Sequence, residues 1–203
     1  MLIISQTNLD AVEKAIELLK NAKVIAIPTD TVYGFAVDAS NQEALENLYR
    51  LKKRDKNKPI AIFLRNVQQI KKLFIIEKIT AKLIEKFLPG KLTIVAKLKD
   101  KIEINLAKNL NENDQNFLGF RVVDSYFIKE LFAKFDGVLA VTSANLSGYE
   151  VLNSASKIQK NFPQLDLIIA GDDMESSPST VVKVDNSQLT IIRQGAIIIP
   201  EII

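Results

Sequence analysis

Val24-Ile25-Ala26-Ile27-Pro28-Thr29-Asp30-Thr31-Val32-Tyr33-Gly34 sets four apolar residues directly before a seven-residue loop. The short apolar run reads as a buried strand, and Pro28 ends it because proline has no N–H to give to a ladder. The loop that follows carries three hydroxyls (Thr29, Thr31, Tyr33), one carboxylate and a closing glycine. The same residue types also build ordinary turns, so the loop alone is compatible with either a turn or a site.

The pattern continues on both sides of this stretch. Upstream, Leu2–Ile4 reads as a short strand, and Thr7-Asn8-Leu9-Asp10 has the spacing of a capping box before Val12, Ala15, Ile16 and Leu19. Downstream, Ser40-Asn41-Gln42-Glu43 is a second such box, opening a helix with Leu45, Leu48 and Tyr49 on one face. Ile60–Leu64 is the next apolar run; Thr80–Leu88 reads as a helix stopped by Pro89-Gly90, and Leu92–Leu98 as a strand. Residues 99–115 are polar and asparagine-rich without a period, which predicts a loop or a mobile excursion. Phe117–Val123 reads as a strand, then Asp124 as the cap of a helix carrying Phe127, Ile128, Leu131, Phe132 and Phe135. Val138–Thr142, Leu167–Ala170, Thr180–Val184 and Thr190–Arg193 complete the strands, with a short helix over Ser154–Phe162 and a loop over Gly171–Pro178. Strands and helices alternate early and strands cluster late. The fold class is therefore α/β: a single domain over residues 1–203, with a twisted mixed sheet flanked by helices.

Composition narrows the chemistry. The 203 residues hold no Cys and no His. That excludes disulfides, thiol and imidazole catalysis and His- or Cys-ligated metals. What remains is Lys, Arg, Ser, Thr, Asp, Glu, Tyr and the backbone, an inventory suited to phosphoryl and nucleotidyl transfer by positioning and charge stabilisation. No apolar run approaches the roughly 18 residues a membrane span needs. The start of the chain shows neither a basic n-region nor a cleavage site, so a cytoplasmic protein without a signal peptide is expected. A net charge of +3 is too mild to imply nucleic acid by itself.

Four places concentrate polar chemistry. From Arg50 to Lys58 six side chains are basic and one is acidic; the run sits between a helix and a strand, where cations favour a helix C-terminus but also face strand-edge sites. Thr142-Ser143-Ala144-Asn145-Leu146-Ser147-Gly148 follows another strand with small hydroxyl residues, an amide and a glycine, compatible with a polar loop or an anion cradle. Ser179-Thr180-Val181-Val182 is followed one strand later by Arg193. Arg121 stands in an apolar strand between Phe120 and Val122; a guanidinium there calls for an anionic partner, since burying it alone is costly. Neither glycine-rich phosphate motif, G-x-x-x-x-G-K-[ST] or G-x-G-x-x-G, is present, so side chains must carry much of any phosphate contact.

Taken in order, these elements resemble the YrdC-like family of threonylcarbamoyl-AMP synthases, in its short form without a C-terminal extension domain. The resemblance rests on Pro28–Gly34, Lys52-x-Arg54 with Pro59, Gly119-x-Arg121, Ser143-x-Asn145 with Leu146-Ser147-Gly148, Ser179–Val182 and Arg193. It implies one α/β domain around a basic cavity. The activity implied is joining L-threonine, bicarbonate and ATP into threonylcarbamoyl-AMP with release of pyrophosphate, for modification of adenosine in tRNA by a downstream transferase complex. It places Thr31, Arg121 and Ser179 around threonine, and Lys52, Arg54, Lys58, Ser143, Asn145 and Arg193 around ATP, with Lys52 and Arg54 as catalytic residues. Mg2+ would arrive with ATP, and tRNA is a further partner it allows. Two positions depart from the family pattern: Val123 where a proline usually stands, and Phe63 where some members carry His. Competing readings are an RNA-binding module of the same fold and a paralogue acting on another carbamoyl substrate. The scarcity of aromatics weighs against a stacking surface for single strands, and the absence of Cys-rich segments weighs against the hydrogenase-maturation paralogues.

Overall fold

A computed structural model describes residues 1–111, 116–174 and 177–200. Residues 112–115 of the expected polar loop and 175–176 of the loop after Ala170 lie outside the described residues. The strands are β1 (Leu2–Ser5), β2 (Ile25–Ile27), β3 (Gly34–Asp38), β4 (Ala61–Phe63), β5 (Leu92–Lys97), β6 (Phe117–Arg121), β7 (Leu139–Ser143), β8 (Leu167–Ala170), β9 (Thr180–Asp185) and β10 (Gln188–Arg193). The helices are α1 (Ala11–Lys20), α2 (Gln42–Lys52), α3 (Val67–Leu73), α4 (Lys78–Phe87), α5 (Tyr126–Lys134) and α6 (Ala155–Asn161). All ten strands form one mixed sheet in the order β1-β8-β2-β3-β7-β4-β6-β5-β9-β10.

Apart from a 3-10 turn at Lys108–Leu110, two elements escape the sequence reading. β3 follows Gly34 immediately, so the glycine that closes the polar loop also starts a central strand. A side chain at Gly34 would meet Val141 Cγ1 at 2.7 Å, so only glycine lets β3 approach β7 this closely. α3 is a short helix whose Ile70 and Leu73 are buried and whose N-cap, Asn66, accepts from the Gln69 N–H. The capping boxes are also corrected. α1 starts after Asp10 with no side-chain cap bond. Asn41, not Ser40, caps α2 by accepting from the Ala44 N–H at 3.0 Å, while Ser40 bonds Asp38. Ser125, not Asp124, is the N-cap residue of α5; the Asp124 carboxylate accepts from Lys129 instead. The described part of the stretch expected to be a mobile excursion is docked: Leu110 is buried, its carbonyl accepts from the Ile60 N–H, and the Ala107 N–H donates to Ala39.

Strand alternation assigns every core residue to a face. Ala26, Phe35, Val37, Ala140 and Ile168 point to one side, where they join Leu48, Ile70, Leu83 and Ile158 of α2, α3, α4 and α6. Ile25, Ile27, Ala36, Leu139, Val141, Leu167 and Ile169 point to the other, where they join Leu19 of α1 and Phe127 and Leu131 of α5. The first layer runs the length of the sheet, reaching Phe120, Ile94 and Val182 on β6, β5 and β9. The second does not. From Ala61 of β4 outward that face carries Thr93, Val95, Gly119, Arg121 and Val181 as well, and these six residues line a cavity instead of a helix. The site is the half of one sheet face that no helix among the described residues covers.

Candidate functional site: a cavity with three arginines

The cavity measures about 430 Å³, within the range of sites for small molecules. Its floor is the six strand residues just named with Phe63, and its rim comes from four polar segments: Thr29 with Thr31–Gly34, Arg54 with Lys58–Ile60, Thr142–Ser143, and Pro178–Ser179 with Ile192–Arg193. These are the segments singled out in the sequence, and strand order brings them together. β3 pairs with β7, which sets Gly34 beside Ser143. β5 pairs with β9, which sets Thr93 next to the start of the Ser179–Val182 strand.

Arg121 is 4% exposed at its side chain and has the partner its apolar strand demands. One terminal N–H donates to Asp30 Oδ1 at 2.5 Å, the other terminal nitrogen to Thr31 Oγ1 at 3.0 Å, and Nε to the Gly90 carbonyl at 2.9 Å. Asp30 is itself 7% exposed and accepts from the Asp124 N–H through its second oxygen. The loop that holds Asp30 is preset: Thr29 Oγ1 accepts from the N–H groups of Thr31 and Val32 and donates to the Val32 carbonyl. Tyr33 closes it by both donating to and accepting from the backbone of Gly171 at 3.0 and 2.8 Å; burial, with Asp173 and Asp172 adding to it, raises that phenol.

The other two arginines have no carboxylate within ion-pair distance among the described residues. Arg54 donates to the carbonyls of Lys58 and Pro59 at 3.2 and 3.0 Å. Arg193 donates to the Ser179 carbonyl at 2.8 Å and to its hydroxyl at 3.3 Å, and Ser179 Oγ also bonds Thr93 Oγ1 at 2.8 Å. Burial lowers all three guanidiniums; Tyr49 and Asp55 partly offset this at Arg54, while Arg54 depresses Arg193 further and Arg193 depresses Arg121, where Asp30 pulls the other way. Arginine stays charged through such shifts, so the cavity gathers three fixed cations.

Lys52 and Asn145 do not line the cavity. Lys52 is 1% exposed; its ammonium donates to the carbonyl of Ser143, to that of Asn145 at 2.8 Å and to the Asn145 side-chain oxygen at 2.7 Å. Asn145 Oδ1 also accepts from Ser143 Oγ, and its amide donates to Tyr149. Lys52 therefore ties the end of α2 to the loop after β7, and Ser143 is the member of this set that reaches the cavity. Burial, with Arg54 adding repulsion, draws the Lys52 ammonium down to about 7. Thr31, Arg54, Lys58, Arg121, Ser143, Ser179 and Arg193 all line the cavity as a group. Asp30 and Thr93 were not singled out from the sequence as site residues. Thr93 is the polar residue in an otherwise apolar strand register, a signal that alternation alone could have raised. Among the described residues no group of three or more His, Cys, Asp or Glu could hold a metal.

A mixed α/β sheet with one half-face left open over a cluster of arginines defines an anion-binding cavity at strand ends, a place where such folds put their chemistry. Comparison with known proteins gives the class a family. The Sua5/YciO/YrdC family, described as Telomere recombination, matches residues 17–195, and the chain belongs to it. A Methanocaldococcus jannaschii protein with the provisional name threonylcarbamoyl-AMP synthase is 34% identical over 200 residues, spanning 96% of this chain and 92% of that one. The threonylcarbamoyl-AMP synthase of Mus musculus is 36% identical over 170 residues, 84% of this chain, which spans 59% of the mouse protein. The crystal structure of P. abyssi Sua5 complexed with L-threonine shares the fold with a TM-score of 0.87 at 22% identity, over 96% of this chain and 58% of that one.

Proposed function

We propose that this chain synthesises threonylcarbamoyl-AMP from L-threonine, bicarbonate and ATP, releasing pyrophosphate. The observation that carries the reading is the convergence of Arg54, Arg121 and Arg193 on one cavity, in a chain with relatives at 34% and 36% identity that bear that activity in their names. The reaction brings the carboxylate of threonine together with two anions, bicarbonate and the triphosphate. Threonine's amine attacks the carbon of bicarbonate, and loss of water leaves a carbamate, whose oxygen then attacks the α-phosphorus in line while pyrophosphate leaves. Fixed cations lower the repulsion between these groups and stabilise charge on the leaving group, and they do so without reorganising during the step.

In this reading Arg54, Lys58 and Arg193 face the triphosphate, with the Ser143 hydroxyl beside them. Arg121, Thr31 and Ser179 face threonine, the ligand bound in the P. abyssi neighbour. Lys52 and Asn145 act from behind, by holding the Ser143 loop in place. No covalent intermediate is needed, in keeping with a chain that has neither Cys nor His. Magnesium would arrive on the triphosphate and need few protein ligands; among the described residues no group of three or more His, Cys, Asp or Glu could hold it, and Arg54, Lys58 and Arg193 would share with it the compensation of phosphate charge. The product would pass to a tRNA threonylcarbamoyl transferase in the cytoplasm. Among the described residues no helix is long and apolar enough to cross a membrane.

The test is pyrophosphate release from ATP with threonine and bicarbonate each omitted in turn. Release should require both. Equal turnover without threonine overturns the proposal.

A further inference from the structure

The three arginines are not equivalent in charge. Arg121 is compensated by Asp30, a carboxylate 7% exposed and lying behind the guanidinium. Arg54 and Arg193 touch only carbonyls and a hydroxyl, and no carboxylate among the described residues lies within ion-pair distance of them or of Lys58. One end of the cavity therefore holds three cations with no paired carboxylate among the described residues, Asp55 acting on Arg54 only from beyond ion-pair distance, while the other end pairs its one cation with Asp30. Of the five N–H donors a guanidinium carries, Arg121 spends three on Asp30, Thr31 and Gly90. Two remain to take an oxygen from the cavity, while the Asp30 charge behind them opposes any ligand with net negative charge.

We infer that Asp30 is a specificity-determining residue: by neutralising Arg121 alone, it reserves that end of the cavity for a zwitterionic amino acid and confines phosphate groups to the Arg54, Lys58 and Arg193 end. A zwitterion gains at the neutral end on both counts, its carboxylate meeting Arg121 and its ammonium the field of Asp30. A phosphate group, with no positive charge of its own, gains only the first and is repelled by the second. The inference deepens the synthase reading and rests on it for the identity of the amino acid, but the division of charge can be tested without turnover.

The experiment is isothermal titration of the full chain and of Asp30→Asn, a change that keeps the shape and an acceptor for Arg121 while removing the charge. The titrants are inorganic pyrophosphate, and threonine in the presence and absence of saturating pyrophosphate. The wild-type chain should take one pyrophosphate and bind threonine with an affinity that pyrophosphate changes less than about twofold. Asp30→Asn should take a second pyrophosphate that competes with threonine, because removing one nearby charge strengthens anion binding at that end on the order of tenfold or more. The inference is overturned if folded Asp30→Asn keeps one pyrophosphate and shows no competition. It is equally overturned if the wild-type chain takes two or none, or loses threonine affinity to pyrophosphate, a measurement that stands even where the variant fails to fold. A chain that ignores threonine, but gains a second pyrophosphate on Asp30→Asn, sinks the synthase reading and leaves the division of charge intact.

Discussion

Replacing Arg121 by alanine tests the fold and the site at once, and the two effects differ in size and in assay. The substitution removes three hydrogen bonds, at 2.5, 3.0 and 2.9 Å, and strands the Asp30 carboxylate at 7% exposure. Removing one partner of a buried ion pair costs about 3–5 kcal/mol. For a domain of this size each kcal/mol is worth about 2–4 °C, so the melting temperature should fall by roughly 6–20 °C. Pairing Arg121→Ala with Asp30→Asn removes the stranded charge and should recover on the order of 2 kcal/mol. Chemical denaturation of the wild type, both single variants and the double variant measures this cycle. Below the melting transition, threonine affinity should still drop about ten- to a hundredfold, the scale of a lost charge-assisted bond of about 1.5–3 kcal/mol. Arg121→Lys should recover only part, since an ammonium lacks the planar fork. A loss of stability under about 1 kcal/mol, the value of an exposed pair, or a double variant no better than Arg121→Ala, would refute the reasoning that Asp30 is a desolvated partner. An early-melting protein with unchanged threonine affinity would remove Arg121 from the site.

Three further outcomes follow from contacts around the rim. Lys52 holds its proton less tightly in the folded chain, at about 7, than in the unfolded one, near 10.4. Its burial penalty is thus complete below about pH 7 and relieved as pH rises, so wild-type stability relative to Lys52→Met should climb by up to about 1.4 kcal/mol per pH unit in that window; a flat difference between pH 7 and 9.5 would mean that the three surrounding oxygens keep the ammonium at its ordinary value. Tyr33→Phe deletes both bonds to Gly171 and should cost about 1–3 kcal/mol in denaturant unfolding, roughly one to two buried hydrogen bonds, with no loss counting against the clamp. Gly195→Ala would place a methyl 2.3 Å from the Pro178 carbonyl and 2.5 Å from Ser179, so it should destabilise by about 1–3 kcal/mol and weaken nucleotide affinity by shifting Arg193; normal stability and affinity together would show that the backbone gives way at no cost.

The candidate site was largely legible because its pieces are local and polar where their surroundings are apolar. Pro28–Gly34, Arg54 with Lys58, Ser143 and Ser179 each follow or precede an apolar strand, and strand ends are where loops meet solvent and ligand. Absences were equally legible, since a chain without Cys or His must work by charge. α4 falls within two residues of its expected bounds at both ends, and α2 and α5 begin within two residues of their expected caps, since packing one face demands a period that sequence displays. β3 and α3 were not legible, and for opposite reasons. Gly34 reads as the end of a turn, yet it begins a strand because β7 needs a backbone without a Cβ at 2.7 Å. α3 is only seven residues long, too short for its two buried side chains to establish a period.

What stayed hidden was which residues meet, and here the reason is topological. Arg121 announced a missing anion through its apolar neighbours, but Asp30 lies 91 residues away and looks like a turn residue. The two are joined only because β4 sits between β7 and β6, an order set by how faces bury and not by any local pattern. The same order explains why a site exists at all. Alternation sends Thr93, Gly119, Arg121 and Val181 to the face that α1 and α5 cover further along. Two helices are too few to cover ten strands. The face beyond them holds a threonine, a glycine and an arginine among apolar positions, a composition that would be a defect under a helix. A fold that left this half-face for another helix would carry leucine or isoleucine there, as the opposite face does at Leu118, Phe120 and Ile94. Function is thus visible in the strands themselves, as the register where the buried pattern turns polar.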